Sequence, residues 1–560
     1  MIGRIATAWR RGSTRDIPLG VVLALFALLY APFLTKAFHV DDPLFLWTAR
    51  HLTSDPLDFY GFGVNWYGTT SSISEVVKNP PLASYYIWLC ASLVGWSELA
   101  LHLAFLLPAL GVVAGTWSLA RVLGARPGEA ALAAALTPAF LVSSTTVMCD
   151  VLMLCAYVWA VVLWIDGLER ASQLRLGAAA VLVAVSALTK YFGMSLLPLL
   201  LLYGLLRQRR LGTWALWLVL PLAALGGYQW LTHAMYGRGL LLDAAAYATR
   251  VGGAAPTTTV ERALIGLIFT GGCFLPALFY APRLWSRWAA LGGLVLLAAA
   301  AVALLVVGRI GRMPLTDDEG IRFGLVAQAA LFLVTGLAVV ALGVLDARDR
   351  RDAGSALLLL WILGTLFFAA FVNWSVNARS LLPMMPAFGV LLARRVERRE
   401  QRAGPWPAWA RAAPLVLSAL AALAVSHADA QLAGSAREAA RDLAAQLGGR
   451  GAPVWFQGHW GFQYYAEGAG MQAIDAKASR FAPGEAIVIP RNNTNLFKLP
   501  ARSVAVQGVA EWSPSPYLAT MNGLVGAGFY SDGWGALPFA LGSVPKEQYV
   551  VLSVTAPFGP

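Results

Sequence analysis

The amino-acid sequence predicts a mainly α-helical protein: a polytopic membrane helix bundle followed by a small extracytoplasmic α/β domain. Three observations predict it. Of 560 residues, 58% are hydrophobic and only 13% are charged, against about 25% charged in a soluble domain, too few to clothe a water-facing surface. Apolar stretches of about 15–24 residues recur along the chain, the length of a helix crossing ~30 Å of hydrocarbon. They are continuous rather than alternating, which argues against a transmembrane barrel. Beyond residue 430 the pattern changes to short strand-like runs interleaved with helical ones. The net charge of +12 suits positive-inside loops and not a nucleic-acid partner. Cys90, Cys149, Cys155 and Cys273 lie in or beside apolar segments without metal-ligand spacing, and read as small core residues.

The first span, near 18–37, is too long for a signal peptide and lacks a small-residue cleavage site, so it reads as a retained anchor. Further spans follow near 99–120, 129–147, 150–166, 176–189, 191–206, 213–231, 263–281, 288–307, 323–345, 356–372, 380–393 and 412–427. That makes about thirteen at the expected ~20 residues each. Arg4, Arg10, Arg11 and Arg15 precede the first span and place the N-terminus in the cytoplasm. Alternation then puts "RQRR" (207–210), "PRLWSRW" (282–288), "DARDRRD" (346–352) and "RRVERREQR" (394–402) on the same side.

Two outward segments are long. The first, about 38–98, is rich in Trp and Tyr, and Tyr85 to Val94 reads as a helix along the interface. The second, about 232–262, is Gly- and Thr-rich and is expected to be mobile. The membrane domain is expected over 1–428 and the α/β domain over 429–560, outside because the span count is odd. Its elements are a polar helix near 435–447 and strands at "PVWFQ", "EAIVIP", "RSVAVQ" and "YVVLSV".

The chemistry-bearing residues gather at outward span ends. In "KAFHVDDPLFLWTARHL" (36–52), Asp41 and Asp42 stand just beyond the first span, where a charge is costly and by default a site candidate. Asp42 before Pro43 also makes a good helix cap. Asp150 sits between two spans with almost no loop, and reads equally as a cap or as a site acid. Lys190 is a lone cation at an outward hairpin, a headgroup anchor or a phosphate counter-ion. Lys78 precedes two prolines that fix the backbone, and Arg379 stands at another outward end before a proline. Three acids and three bases on one face suit a phosphate leaving group and a hydroxyl acceptor. Cations stabilise charge on the phosphate, and a carboxylate takes the acceptor's proton.

On these residues the chain resembles the GT-C glycosyltransferases that use polyprenyl-phosphate sugars. It is similar to the bacterial relatives of protein O-mannosyltransferases and the lipid A aminoarabinose transferase. Asp41-Asp42-Pro43 with Phe45 resembles the family's Asp-Glu motif with its following aromatic. Lys78-Asn79-Pro80-Pro81-Leu82 resembles its Lys-Pro-Pro element, and Asp150, "LTKYFG" and "ARSLLPMMPAFGVLLA" extend the likeness over roughly 18–395.

The resemblance implies an inverting transfer on the outer face of a bacterial inner membrane, from a polyprenyl-phosphate sugar to a lipid, glycan or protein hydroxyl. Asp41 is then the main acid-base candidate, Asp42 and Asp150 shape the site, and Lys78, Lys190 and Arg379 take the donor phosphate. Two departures stand out: Asp42 replaces the family's Glu, and Lys78-Asn79 replaces the Glu-Lys of the aminoarabinose branch. The resemblance fixes no cofactor and leaves a divalent metal open; if one binds, Asp42, Asp150 and Glu75 are its expected ligands. A transporter or flippase of lipid-linked glycans is the rival reading, with broken helices at the midplane and related halves. A sensor or assembly protein is the third, and it leaves the clustered acids without a use.

Overall fold

Every expected apolar stretch is helical over most of its length, because a helix satisfies its backbone internally where no water can. In the computed structural model, which describes residues 16–253, 257–318, 320–449 and 452–559, seven helices are long and apolar enough to cross a membrane. They are Glu98–Val122, Cys149–Glu169, Thr213–Tyr236, Arg287–Val307, Phe323–Arg350, Ala353–Val372 and Ala408–Gly448. Thr259–Cys273 and Pro276–Leu284, bent by 83°, make an eighth if counted as one broken span. The other expected stretches are shorter or interrupted. Stretch 129–147 is two helices, Pro127–Ala135 and Pro138–Ser144, because Pro138 has no N–H to continue the ladder. Stretch 18–37 is a helix over Leu19–Tyr30 that ends in a tight turn containing Pro32. Arg4, Arg10, Arg11 and Arg15 lie outside the described residues.

Small residues bring the helices together. A Cβ on Gly271 would stand 1.8 Å from the Phe332 carbonyl oxygen, and one on Gly336 2.0 Å from that of Leu267. Thr259–Cys273 and Phe323–Arg350 therefore touch backbone to backbone, as glycine permits between membrane helices. Tyr157, Trp164, Trp361 and Phe388 fill the interior, whereas Trp230, Leu294 and Val306 project outward from the bundle.

Segment 38–98 contains the helices Asp42–His51 and Leu82–Val94 and a hairpin of Gly63–Asn65 with Thr70–Ser72. The second long segment, 232–262, contains a helix, Leu240–Gly253, since residues 240–248 are Leu, Asp, Ala and Tyr and the glycines fall at its ends.

After the bundle, one sheet runs in the order Val504–Trp512, Glu547–Val554, Ala486–Pro490, Val454–Phe456, Gln472–Ala473. The first three strands are antiparallel, and Val454–Phe456 lies parallel to both its neighbours. The polar helix at 435–447 is the end of Ala408–Gly448, which runs unbroken through the expected boundary at 428/429; residues 415–433 contain neither Gly nor Pro.

This C-terminal region packs onto segment 38–98. Gly461 lies so close that a Cβ there would be 2.3 Å from the Phe38 carbonyl oxygen. The Phe38 N–H donates to the Tyr465 hydroxyl at 2.8 Å, which donates to Glu98 at 2.7 Å.

Candidate active site

The chain enters the acid pair through a strained residue. Val40 has φ 45°, a left-handed conformation that costs a β-branched side chain of order 1–3 kcal/mol. Asp41 and Asp42 follow, and Pro43 sits in the first turn of Asp42–His51. Neighbouring positions point apart, and the two acids meet different partners. Asp42 is buried, and its Oδ2 and Oδ1 accept the N–H groups of His39 (2.7 Å) and Val147 (2.9 Å). It does not cap its own helix; it ties the turn before that helix to the turn before Cys149–Glu169. Burial pushes its carboxyl up to about 7, against the pull of those amides and of Lys36. Asp41 occupies the cap position without a side-chain cap bond, and its carboxylate is 31% exposed.

Arg379 gathers the acids. It lies in the short helix Ala378–Leu381, started by the Asn377 side chain, which accepts the Ser380 N–H at 2.8 Å. Its Nη2 donates to Asp41 Oδ2 at 2.8 Å, its Nη1 stands 3.8 Å from Asp150 Oδ2, and its guanidinium lies 5.4 Å over the Tyr530 ring. Burial opposes its charge, but Asp41 and Asp150 more than offset that and hold the guanidinium protonated above its usual range. Lys190 ends Gln173–Thr189 and donates to Asp150 Oδ1 at 2.5 Å. Asp150 is in the first turn of its helix and 1% exposed, so the two cations compensate a carboxylate that could not otherwise stay ionised there. Arg379 Nε is buried without a hydrogen-bond partner among the described residues. Asp41, Asp150, Lys190 and Arg379 thus form one ion-paired chain.

Residues 78–230 match a family model described as dolichyl-phosphate-mannose-protein mannosyltransferase. That segment holds Lys78, Asp150 and Lys190. No curated protein matches the chain. Among solved structures, ArnT from Cupriavidus metallidurans bound to undecaprenyl phosphate is similar at 16% identity and a TM-score of 0.44, covering 84% of this chain and 92% of that one. The oligosaccharyltransferase AglB from Archaeoglobus fulgidus, in complex with an inhibitory peptide and a dolichol-phosphate, is similar at 14% identity and a TM-score of 0.45, covering 81% and 64%. The arabinofuranosyltransferase AftD from Mycobacteria gives 14% and 0.37, over 96% and 40%.

Lys78 is held apart from the ion-paired chain. It bonds Asp243 at 2.7 Å, on the unforeseen helix Leu240–Gly253, and lies 5.4 Å over the Tyr247 ring. Glu75 is 56% exposed and stands 3.7 Å from Arg238. Asp42, Asp150 and Glu75 do not fit as a joint metal ligand set. Asp42's oxygens are taken by amides, Asp150 faces two cations, and Glu75 is turned to a third. Among the described residues, no three or more His, Cys, Asp or Glu side chains are grouped to hold a metal ion.

The structure adds residues that sequence reasoning missed. Lys36 bonds Asp429 at 2.6 Å and the Thr145 hydroxyl at 3.1 Å, and Asp429 also accepts from Thr520 and Tyr530, each at 2.8 Å. Tyr530 is the ring beneath Arg379, so this second buried pair braces the first. An acid two residues beyond the last expected span, 412–427, was its available signal. His39 is buried edge-on to Tyr530, and neither ring nitrogen has a partner.

Proposed function

We propose that the chain is an integral membrane glycosyltransferase that moves a sugar from a polyprenyl-phosphate donor to a hydroxyl acceptor. The observation that carries this is the match of 78–230 to a lipid-phosphate-sugar mannosyltransferase family, whose matched segment supplies Asp150 and Lys190 to the cluster joined to Asp41 by Arg379. In this reading the acceptor oxygen attacks the anomeric carbon as the bond to the phosphate oxygen breaks, with inversion. The proton goes to Asp41, the more open acid. The phosphate leaves on its lipid with its charge spread over Arg379 and Lys190.

The internal ion pairs suit this cycle. Arg379 occupies Asp41 until a donor phosphate competes for the guanidinium, and the carboxylate is then free to accept a proton. Lys78 is a second phosphate cation, released from Asp243 when the donor binds. Asp42 and Asp150 position backbone and cations. The reading includes about thirteen membrane-crossing or membrane-embedded segments, a cytoplasmic N-terminus, and a C-terminal domain from about 429 on the outer face of a bacterial inner membrane. The acceptor is a lipid, glycan or protein. The test is transfer of radiolabelled sugar from polyprenyl phosphate into a membrane extract by purified protein. No labelled product from any such donor, with vesicle-to-vesicle movement of the labelled lipid instead, would favour translocation.

A further inference from the structure

At the far end of Met385–Ala403 from Arg379, that helix and the end of Phe323–Arg350 enclose a cavity of about 270 Å³. Five arginines line it against three acids, and the acids are already engaged. Asp346 pairs with Arg394 at 2.6 Å, Asp349 with Arg398 at 2.7 Å, and Glu397 accepts the Arg126 N–H. Arg395 and Arg402 make no ion pair with any described residue. The Nε atoms of Arg394, Arg395 and Arg398 are buried without a hydrogen-bond partner. Burial, with the neighbouring Arg399, Arg398 and Arg402, pushes the Arg395 guanidinium below its usual range against the pull of Asp349.

Tryptophans stand beside the arginines at this end of the bundle, outside the cavity's own lining. The Arg395 guanidinium lies 5.5 Å over Trp285, and Arg283 lies 4.7 Å over Trp409 and 5.9 Å over Trp406; tryptophans concentrate where lipid meets water.

We propose that this cavity binds the phosphate of an anionic phospholipid, far from the reacting groups and independently of them. Guanidinium forks match phosphate oxygens in pairs, and basic pockets between helix ends are the usual hosts of such headgroups. A soluble phosphate shares the chemistry but not the tryptophans.

The experiment places the purified full-length protein in phosphatidylcholine nanodiscs, adds phosphatidylglycerol or cardiolipin, and counts retained lipid by native mass spectrometry. A parallel arm uses inorganic phosphate. Wild-type protein is expected to retain the anionic lipid over phosphatidylcholine. R395Q/R402Q should weaken retention roughly 25-fold, about fivefold for each arginine near an anionic headgroup. The single Arg402→Gln change, on an exposed side chain, should fold normally and cost about fivefold. Asp41→Asn should leave retention unchanged. Equal retention by wild type and Arg402→Gln would overturn the site, and inorganic phosphate binding as tightly as the lipid would overturn its assignment to a headgroup.

Discussion

The Asp41 carboxylate is 31% exposed, whereas Asp42 is buried with its oxygens on the His39 and Val147 amides, so the proposed reaction assigns the acceptor's proton to Asp41. Asp41→Asn keeps shape and loses proton affinity, so sugar transfer should fall about 10²–10⁴-fold, with donor binding retained. Asp42→Asn presents one acceptor oxygen and an NH₂ to two amide donors. It should cost about 1–3 kcal/mol of stability, read as a lower Tm, with turnover per folded molecule largely kept. Equal turnover loss in both variants would end the division of labour.

His39 adds a pH dependence. Burial drives its imidazole down to about 4, with Lys36 and Arg379 pushing the same way and Asp429 and Asp41 pulling it up. Between about 4 and the ordinary 6.5 the unfolded chain therefore binds the extra proton and the native state does not. The His39 contribution is complete above about 6.5 and is lost as pH falls toward 4. His39→Phe should flatten that acid limb in thermal unfolding scans, and an unchanged slope would exclude His39 as its source. Charges beside apolar runs made Asp41, Asp150, Lys190 and Arg379 legible in the sequence. The work of Asp42 was not, because Val147 lies 105 positions away.

Helices were legible as elements wherever an apolar run was long, but their lengths were not. Pro138 was visible in stretch 129–147, yet a membrane-length template overrode it; the missing N–H decided the break. The helix Ala408–Gly448 teaches the reverse, since its polar second half continues a span that composition had closed at 427. That continuity carries Asp429 to Lys36, at side-chain exposures of 0% and 1%, across 393 positions that no local pattern connects. Removing one partner of such a pair leaves a buried charge, so Lys36→Met should cost about 3–5 kcal/mol. Lys36→Met with Asp429→Leu should recover much of it, because no uncompensated charge remains. Melting of the purified variants measures this. A double variant as unstable as the sum of the singles would mean that the two charges do not stabilise one another.

Across the whole molecule, the C-terminal region and the candidate site must share one side, whatever the number of spans. The Ala378 N–H donates to the Phe529 carbonyl at 2.9 Å, and Val376 exchanges hydrogen bonds with Asp532, whose side chain takes the Val376 N–H at 3.0 Å. Residues 529–532 therefore hold the segment that aims Arg379, with Tyr530 beneath its guanidinium. The arginine-rich ends of Phe323–Arg350 and Met385–Ala403 lie at the other extreme of the same helices, as the positive-inside rule requires if the site faces out. A phosphatase reporter fused after residue 560 should accordingly be active, and a reporter inserted at Arg209, in the turn after Leu196–Gln208, should be silent. An inactive C-terminal fusion would carry Asp41, Arg379 and Lys190 to the cytoplasmic face together, because the contacts at 376–379 forbid moving one without the others. The site would then face nucleotide-activated sugars, and the need for a lipid-linked donor would be gone.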